Sequence, residues 1–516
     1  MNKVHRLIVH LVAVLWCVSA SPLMAGEYDI AIVGGRVIDP ESGLDAVRNV
    51  GIRGDEIAIV TSEAITASNV IDARGRVVSP GFIDMHAHGQ TIPAGRMQAL
   101  DGVTTALELE AGALPVSDYY DRAAREGRPI NYGASVNWAN ARIAVFLGDE
   151  PVADLDWFFA NFKRPVWQTQ LSTDSQLAAI SALVREGLEQ GGLGVGFLLG
   201  YAPGTGRKEY YEITKLAARK GVPTFTHARF LSMLEPDSSF EGMAEIVSVA
   251  AGTGVHAHIV HLNSMSLRDI DAIGSLLLSA RAKGVRITTE AYPYGAGATG
   301  IGAAMFRGPR WRERVGGLTA GSFDMGGKRL TEDEFTYLQR EKPETGIVVH
   351  FLDTAKPSDQ AFLDKSVLFP GGVIASDGGT WTVRFAPVPK DTWPLPDTAW
   401  SHPRSAGTYA RFLRRYVRET QAISLIEAIE RVSYGPARIL QDAVPQMKAK
   451  GRIQAGADAD IVVFDLATVA DKATYAKPAQ ASVGFEHVIV NGVPLVDDGV
   501  LDTGVLPGRP IRNQVR

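Results

Sequence analysis

The chain has 516 residues, of which 46% are hydrophobic and 8% aromatic, so it can bury a full core and divide into one large unit and a smaller one. The formal net charge is −5, and no cluster of Lys and Arg provides the positive field that nucleic acid requires. We therefore expect a globular protein that has no nucleic-acid partner.

The first segment, residues 1–25, is predicted to be a cleaved secretory signal peptide. Lys3 and Arg6 precede an apolar run over residues 7–18, and small residues follow it. This run is shorter than the roughly 20 residues that span a bilayer, so we expect a periplasmic or secreted protein without a stable membrane anchor. The single cysteine, Cys17, lies in this segment, which excludes disulfides and thiolate ligands in the mature chain.

Both ends of the remaining chain have the sequence pattern of small β-sheets. Short β-type runs such as Asp29–Val33 and Asp460–Phe464 alternate with Gly, Asp and Asn turns over residues 26–80 and 451–516. Because the same pattern of short strands and turns stands on both sides of residues 81–440, we predict that both ends build one small β-sandwich. Two unrelated edge sheets are the alternative.

Residues 81–440 alternate short apolar strands with segments of helical periodicity, such as Asp174–Gln190. The eight strand candidates, numbered one to eight, begin near Phe82, Val103, Asn131, Leu193, Val222, His256, Val285 and Val373. Eight such units predict an α/β fold, a (β/α)8 TIM barrel, rather than a doubly wound sheet. The segment of about 303–343 is too long for an ordinary connection and is predicted to be a lid or small insertion near the active-site face.

Histidines stand where the predicted strands end. His86 and His88, at the end of strand one, are two residues apart, so both point to the same side of the strand and can bind one metal ion. His227 ends strand five and His261 ends strand six. Because catalytic groups of TIM barrels gather at this end of the strands, the four histidines predict a metal site.

Asp377 closes strand eight, in Ser-Asp-Gly. By itself this pattern would indicate a turn, but beside four histidines the carboxylate can bind the metal weakly, accept a proton from water and pass it to a leaving amine. His256 and His258 lie earlier on strand six and are interpreted as structural. His350 and His402 receive no role.

Several segments together resemble the amidohydrolase superfamily. They are Gly81-Phe-Ile-Asp-Met-His-Ala-His88, Thr226-His-Ala-Arg229, Val260-His-Leu262, Ser376-Asp-Gly378 and Gly456-Ala-Asp-Ala-Asp460. Three further segments, Ala291-Tyr-Pro-Tyr294, His402-Pro-Arg404 and Val488-Ile-Val-Asn-Gly-Val-Pro494, are most similar to its D-aminoacylase branch, the N-acyl-D-amino-acid deacylases. The resemblance runs from about Tyr28 to Asp502.

This resemblance implies specific roles. The implied metal ligands are His86, His88, His227, His261 and Asp377, and Asp377 is also the implied general acid and base. Tyr201 would hydrogen-bond the scissile carbonyl oxygen. Arg404 and one tyrosine of the pair Tyr292 and Tyr294 would hold the substrate carboxylate, which a planar guanidinium can grip through two parallel bonds.

The chain departs from the family pattern at two positions. The metal-binding cysteine of strand two falls on Ala111, so Glu110, or alternatively Glu108, is expected to supply a carboxylate; Glu110 is preferred. Strand four, Gly192–Gly196, contains no lysine that could form a carbamylated bridge. The second departure is Asn263, a candidate substrate-binding residue at the position where the family has a lysine that helps to bind the substrate carboxylate.

We expect metal-dependent hydrolysis of a small-molecule amide, most simply the deacylation of an N-acyl-D-amino acid or a related acylated amino acid. The histidine-rich donor set favours one or two zinc ions. Asn263 keeps open a dipeptidase or a cyclic-amide hydrolase on the same site. A noncatalytic periplasmic binding protein is the alternative outside enzymes. The sequence leaves the oligomeric state open.

Overall fold

Eight short strands form a parallel barrel in the computed structural model, which describes residues 27–515. Strands one to eight are Phe82–Asp84, Val103–Ala113, Asn131–Asn137, Val195–Leu198, Thr224–His227, Ala257–Ile259, Ile287–Ala291 and Val373–Ile374. Strand eight approaches strand one where the Asp377 N–H donates to the His86 carbonyl oxygen at 2.8 Å. The predicted (β/α)8 barrel is confirmed, whereas the predicted signal peptide lies outside the described residues and stays a prediction.

The side chains of strand two point alternately into the apolar core and toward the end of the barrel where the histidines lie. Leu107 and Leu109 belong to a buried apolar cluster with Ile83 of strand one. The intervening Glu108 and Glu110 instead contact histidines at the end of the barrel. Successive side chains of a strand point to opposite sides, so this alternation places acidic groups in the site and leucines in the core.

Helices connect and cover the barrel strands. The longer ones are Ile92–Ala99, Val116–Glu126, Trp138–Leu147, Asp174–Glu189, Arg207–Lys220, Ser239–Thr253, Ile270–Ala282, Glu332–Glu341, Pro357–Val367 and Arg404–Phe412. Shorter ones are Leu155–Ala160, Val166–Thr169, Leu262–Ser266, Trp311–Arg314, Leu425–Ile429 and Gly435–Leu440. Thr173 and Ser238 begin two of the helices with capping boxes that satisfy their first N–H groups. None of the helices within residues 27–515 has the length and hydropathy needed to cross a membrane.

Both ends of the chain build one nine-stranded sheet, which confirms the predicted satellite β unit. Its strands are Tyr28–Asp39, Leu44–Arg53, Glu56–Thr61, Ala67–Asp72, Val77–Pro80, Ile461–Phe464, Phe485–Val490, Val493–Asp497 and Val500–Leu501. Antiparallel pairing of Ser79 with Val462 joins the N-terminal and C-terminal strands. The sheet has its own apolar core, which includes Ile32, Val50 and Ile461.

A small antiparallel sheet lies between strands seven and eight. Its strands are Ala296–Gly300, Phe323–Met325, Lys328–Arg329 and Gly346–His350, so it begins before and ends after the predicted insertion of about 303–343. Thr299 of this sheet shares a 2.9 Å hydrogen bond with the Tyr201 hydroxyl, which places the sheet beside the barrel mouth. A separate hairpin, Thr382–Val383 with Ala386–Pro387, follows strand eight.

Asp460 ties the nine-stranded sheet to the barrel. Its carboxylate accepts hydrogen bonds from the Asn131 side chain at 2.9 Å, the Lys450 ammonium at 2.6 Å and the Asn491 N–H at 2.8 Å. Asp460 and Lys450 each have a side chain that is 3% exposed. Because Asn131 begins strand three, one buried carboxylate holds three separate segments together.

We expect Asp460→Ala to lower the free energy of unfolding by about 3 kcal/mol, because Lys450 would keep a buried charge with a weakened partner. Urea unfolding of the full-length protein measures this loss. Asp458→Ala is the matched control: Asp458 also contacts Lys450, at 2.8 Å, but its side chain is 31% exposed. The control should lose less than about 1 kcal/mol, and equal losses for both variants would contradict the assignment.

Candidate metal centre

The four predicted metal-binding histidines converge at the mouth of the barrel. His86 and His88 follow strand one, His227 ends strand five and His261 follows strand six. The Nε2 atoms of His86 and His88 are 3.1 Å apart, and the ring centroids of His227 and His261 are 4.7 Å apart. Strands one and five lie across the barrel from each other, so the two pairs approach from opposite sides.

Glu110 lies between the two histidine pairs. Its Oε2 atom is 3.2 Å from His86 Nε2 and 3.4 Å from His88 Nε2. Its Oε1 atom is 2.8 Å from His227 Nδ1 and 2.9 Å from His261 Nε2. Each carboxylate oxygen therefore faces one pair, so Glu110 would be available to metal ions held by either pair. This geometry favours Glu110 as the group that replaces the cysteine of the family.

Glu108 occupies a different position. Both of its carboxylate oxygens contact His88 Nδ1, at 3.0 and 2.9 Å. An N–H that donates from Nδ1 fixes the imidazole tautomer and leaves Nε2 available for a metal ion. The pairing of strand two with strand three shifts register between Glu108 and Ala113, and such an irregularity re-aims side chains. The geometry thus separates Glu110, at the centre, from Glu108, behind His88.

Glu290 on strand seven is a functional candidate that the sequence analysis missed. Its Oε1 atom is 2.5 Å from His86 Nδ1 and its Oε2 atom is 3.0 Å from His258 Nε2. Burial raises the pKa of Glu290, but the charges of these histidines and their hydrogen bonds outweigh burial and lower the pKa to about 2. An acidic residue inside a buried strand was the available signal, as it was for Glu110.

Asp377 completes the centre from strand eight. Its Oδ1 atom is 3.4 Å from His88 Nε2 and 3.6 Å from His86 Nε2, and it forms an ion pair with Arg404, whose Nη2 atom is 2.7 Å away. The backbone of Asp377 is left-handed, with φ of 52°. Burial raises the pKa of Asp377, but the charges of Arg404 and His86 and a hydrogen bond with His88 together outweigh burial, so the pKa is lowered.

The donor atoms fit zinc. Imidazole nitrogens and carboxylate oxygens are ligands that zinc prefers, and His86, His88 and Glu110 form one group whose ligand atoms lie within 4.8 Å of one another. Glu110, His227 and His261 form a second such group. Within residues 27–515, the buried Nε2 atom of His227 has no hydrogen-bond partner. A third such group, His86, His261 and Asp377, takes one histidine from each pair, so these residues could hold one or two zinc ions with Glu110 between the pairs.

Arg404 presents free donors beside the centre. Its side chain is 2% exposed, and its guanidinium lies over the Tyr292 ring, 4.6 Å from the centroid. Apart from the ion pair with Asp377, its Nε and Nη1 atoms have no hydrogen-bond partner in the described part of the chain. A buried guanidinium with unused donors is costly, so these nitrogens are available to an anionic group that enters the site.

The two tyrosines of the Tyr-Pro-Tyr segment face different surroundings. Tyr292 lines the cavity at the metal centre and stacks under Arg404. Tyr294 packs against His402, with ring centroids 5.4 Å apart, and Arg411 lies 4.4 Å from the centroid of its ring. The geometry therefore favours Tyr292 over Tyr294 as the partner of Arg404.

Tyr201 lies next to His227, with ring centroids 5.0 Å apart. Its hydroxyl shares a 2.9 Å hydrogen bond with Thr299 Oγ1. Burial raises the pKa of Tyr201, so the hydroxyl keeps its proton and can donate it in a hydrogen bond. This position suits the role that the sequence predicts for it.

Two cavities adjoin the centre and share His88, Thr299 and Asp377 in their walls. The small pocket has a volume of about 90 Å³ and is also lined by Tyr201 and Tyr292. The large cavity has a volume of about 870 Å³. It extends from Arg404 and Glu108 past the insertion sheet to the hairpin that follows strand eight.

Comparison with known proteins agrees with this geometry. The amidohydrolase family matches residues 69–264 and 389–496, which is more than half of the chain. The chain belongs to the amidohydrolase family. This amidohydrolase is similar to the N-acyl-D-glutamate deacylase of Alcaligenes xylosoxydans xylosoxydans, with 27% identity over 91% of the chain and 94% of the relative. It is also similar to the D-aminoacylase of that organism, with 25% identity over 93% of the chain and 97% of the relative.

Solved structures show the same fold. A crystal structure of a D-aminoacylase has a TM-score of 0.75 at 24% identity and covers 94% of this amidohydrolase and 100% of that chain. The N-acyl-D-glutamate deacylase of Bordetella bronchiseptica, complexed with zinc and a phosphonate mimic of the tetrahedral intermediate, has a TM-score of 0.73 at 25% identity. It covers 94% of this chain and 99% of that one. This amidohydrolase is accordingly a metal-dependent enzyme.

Asn263 lies behind the tyrosines of this amidohydrolase. Its side-chain Nδ2 donates to the Tyr294 carbonyl oxygen at 3.2 Å, and its Oδ1 accepts the Tyr292 N–H at 3.3 Å. The side chain is fully buried. Asn263 therefore holds the backbone of the Tyr-Pro-Tyr segment in place, and this contact favours a positioning role over the direct substrate contact that the sequence predicts.

We expect the purified amidohydrolase to bind two zinc ions per chain, and Glu110→Ala to bind fewer than one, because the change removes an oxygen from both groups. Zinc titration followed by elemental analysis measures the stoichiometry. Glu108→Ala is the matched control, and it should keep both sites while its zinc affinity falls by about 10- to 100-fold. Two tightly bound ions in Glu110→Ala would contradict the shared position of Glu110.

Proposed function

We propose that this enzyme hydrolyses the amide bond of N-acyl-D-amino acids. The observation that carries the proposal is the buried Arg404 guanidinium, which keeps free donors while its Nη2 atom lies 2.7 Å from Asp377. A carboxylate held by Arg404 would place the neighbouring amide at the metal centre. Three curated relatives support this substrate class, because they are named N-acyl-D-glutamate deacylase, D-aminoacylase and N-acyl-D-aspartate deacylase.

The residues divide the chemistry among them. Zinc, when bound by the histidines, Glu110 and Asp377, supplies the Lewis acidity that polarises a carbonyl and makes water a better nucleophile. Asp377 accepts the proton of the attacking water and returns it to the departing nitrogen. The Tyr201 hydroxyl donates to the carbonyl oxygen as negative charge develops there. Arg404, with Tyr292 beneath it, orients the substrate by its carboxylate.

The small pocket favours an apolar amino-acid side chain. Its walls include Phe158, Leu231, Met265 and Phe351, and none of the described residues that line it is a lysine or an arginine. Tyr292, under Arg404, also lines it, so a side chain attached to the same carbon as the carboxylate enters this pocket. An acidic side chain would lose its water there, and the described lining would offer it no lysine or arginine, only a metal ion held by Glu110, His227 and His261.

A substrate screen tests the proposed function. We expect kcat/KM for N-acetyl-D-leucine to exceed that for N-acetyl-D-glutamate and for N-acetyl-L-leucine by at least about 100-fold, since an unpaired buried carboxylate or a wrong hand costs several kcal/mol. Zinc content is determined for the same preparation. Faster hydrolysis of dipeptides or hydantoins would instead support the other amidohydrolase activities, and a zinc-loaded but inactive protein would contradict the proposal.

Asp377→Asn should lower kcat by about 10³-fold, because the amide cannot accept the proton of water. Its zinc content should stay near that of the wild type, since His86, His88 and Glu110 remain. Steady-state kinetics and elemental analysis of one preparation measure both quantities. Asp271→Asn, which changes an exposed carboxylate paired with Lys365, is the control and should keep the wild-type kcat. A wild-type kcat in Asp377→Asn would exclude Asp377 as the base.

A further inference from the structure

The large cavity exceeds the needs of a small acyl group. Its volume is about 870 Å³, against about 90 Å³ for the small pocket. Cavities of roughly 300–1,000 Å³ enclose ligands of drug size, whereas an acetyl group has only three heavy atoms. Since Arg404 takes the carboxylate and the small pocket takes the side chain, the acyl group is the remaining part of the substrate that can occupy this space.

The walls of the large cavity combine apolar side chains with polar ones such as His88, Gln90 and Ser401. Ile92, Phe159, Leu338, Ile347 and Val388 line it, and they come from the barrel, the insertion and the segment after strand eight. Burial of apolar groups against such walls is favourable in proportion to the area removed from water. The walls therefore suit an acyl group with an extended hydrocarbon part.

The charges at the rim of this cavity are largely neutralised by their neighbours. The ion pairs are Arg122 with Asp154 at 3.6 Å, Arg128 with Glu126 at 3.0 Å, and Lys163 with Glu344 at 2.9 Å. Lys342, Lys390 and Asp156 also line the cavity, but all three are exposed and stay solvated. The buried Arg128 keeps one nitrogen, Nε, without a hydrogen-bond partner in the described part of the chain. Paired and solvated charges give little attraction to an anionic or peptide acyl group, so the rim does not compete with the apolar interpretation.

An exposed aromatic residue stands at the mouth of the cavity. Phe385 is 67% exposed and lies with Arg384 in the two-residue turn of the hairpin Thr382–Val383 and Ala386–Pro387. Both turn residues are left-handed, with φ of 51° for Arg384 and 69° for Phe385. Glycine and asparagine are the usual residues at such positions. The turn presents the Phe385 ring at the mouth of the cavity, where it is available to an apolar group of the substrate.

We propose that the natural substrates are N-acyl-D-amino acids whose acyl group is an extended apolar chain, which runs through the large cavity and ends against Phe385. This inference rests on the proposed function. Water adds to the acyl carbon, the bond from carbon to nitrogen breaks, and the products are a fatty acid and a free D-amino acid. The inference specifies which acyl group the deacylase accepts.

The test is kcat/KM for the acetyl, butanoyl, hexanoyl and octanoyl derivatives of D-leucine, measured with the zinc-loaded, full-length enzyme. Each buried methylene can contribute about 4-fold, so we expect the hexanoyl substrate to exceed the acetyl substrate by at least about 30-fold. A flat or falling series, with the acetyl substrate hydrolysed, would overturn the inference and leave the proposed function intact. No hydrolysis of any member would overturn both, and a faster peptidyl substrate would show that the cavity takes a polar acyl group.

Variants of Phe385 test whether the acyl chain of the substrate contacts this ring. Phe385→Ala should lower the ratio of octanoyl to acetyl kcat/KM by at least about 5-fold, because an apolar contact at the mouth is lost. Phe385→Leu should restore most of the ratio. Tyr337→Ala, which removes an exposed ring from the insertion helix, is the matched control and should keep the wild-type ratio. An unchanged ratio in Phe385→Ala would exclude Phe385 from the acyl site.

Discussion

The shared carboxylate of Glu110 is the contact on which the site depends. Four imidazoles approach from opposite sides of a closed barrel, and only a group at the centre can reach them all. Glu110 does so because an irregular strand two carries its side chain inward, where its oxygens divide between the two pairs. A buried carboxylate in this position is costly without cations, so the fold is compatible with Glu110 only if the histidines, metal ions or both compensate its charge.

Further carboxylates hold the imidazoles in their orientations. Glu290 contacts His86 and Glu108 contacts His88, each at the nitrogen that faces away from the centre. These contacts determine which nitrogen is free to bind metal and limit rotation of each ring. The barrel thus brings the strand ends close together, and Glu290 and Glu108 fix the directions in which the donor nitrogens of His86 and His88 point.

The sequence predicted the barrel and the four histidines well, for a simple physical reason. Alternation of apolar strands with amphipathic helices survives in the folded state, and residues at strand ends such as His86 and His227 meet wherever a barrel closes. It could not separate Glu110 from Glu108, because a register shift inside strand two decides their directions. Glu290 escaped notice because its role depends on a contact with a strand far away in the sequence.

The expected metal ligands include a carboxylate in place of the family's thiolate, and this changes how the centre responds to oxidants. The six predicted ligands are imidazoles and carboxylates, and neither group is oxidised to a sulfenic acid or exchanged into a mixed disulfide. Hard oxygen in place of soft sulfur also reduces the advantage of copper(I) and other thiophilic cations over zinc. A centre of this composition has no thiolate that an oxidant could convert or that copper(I) could capture.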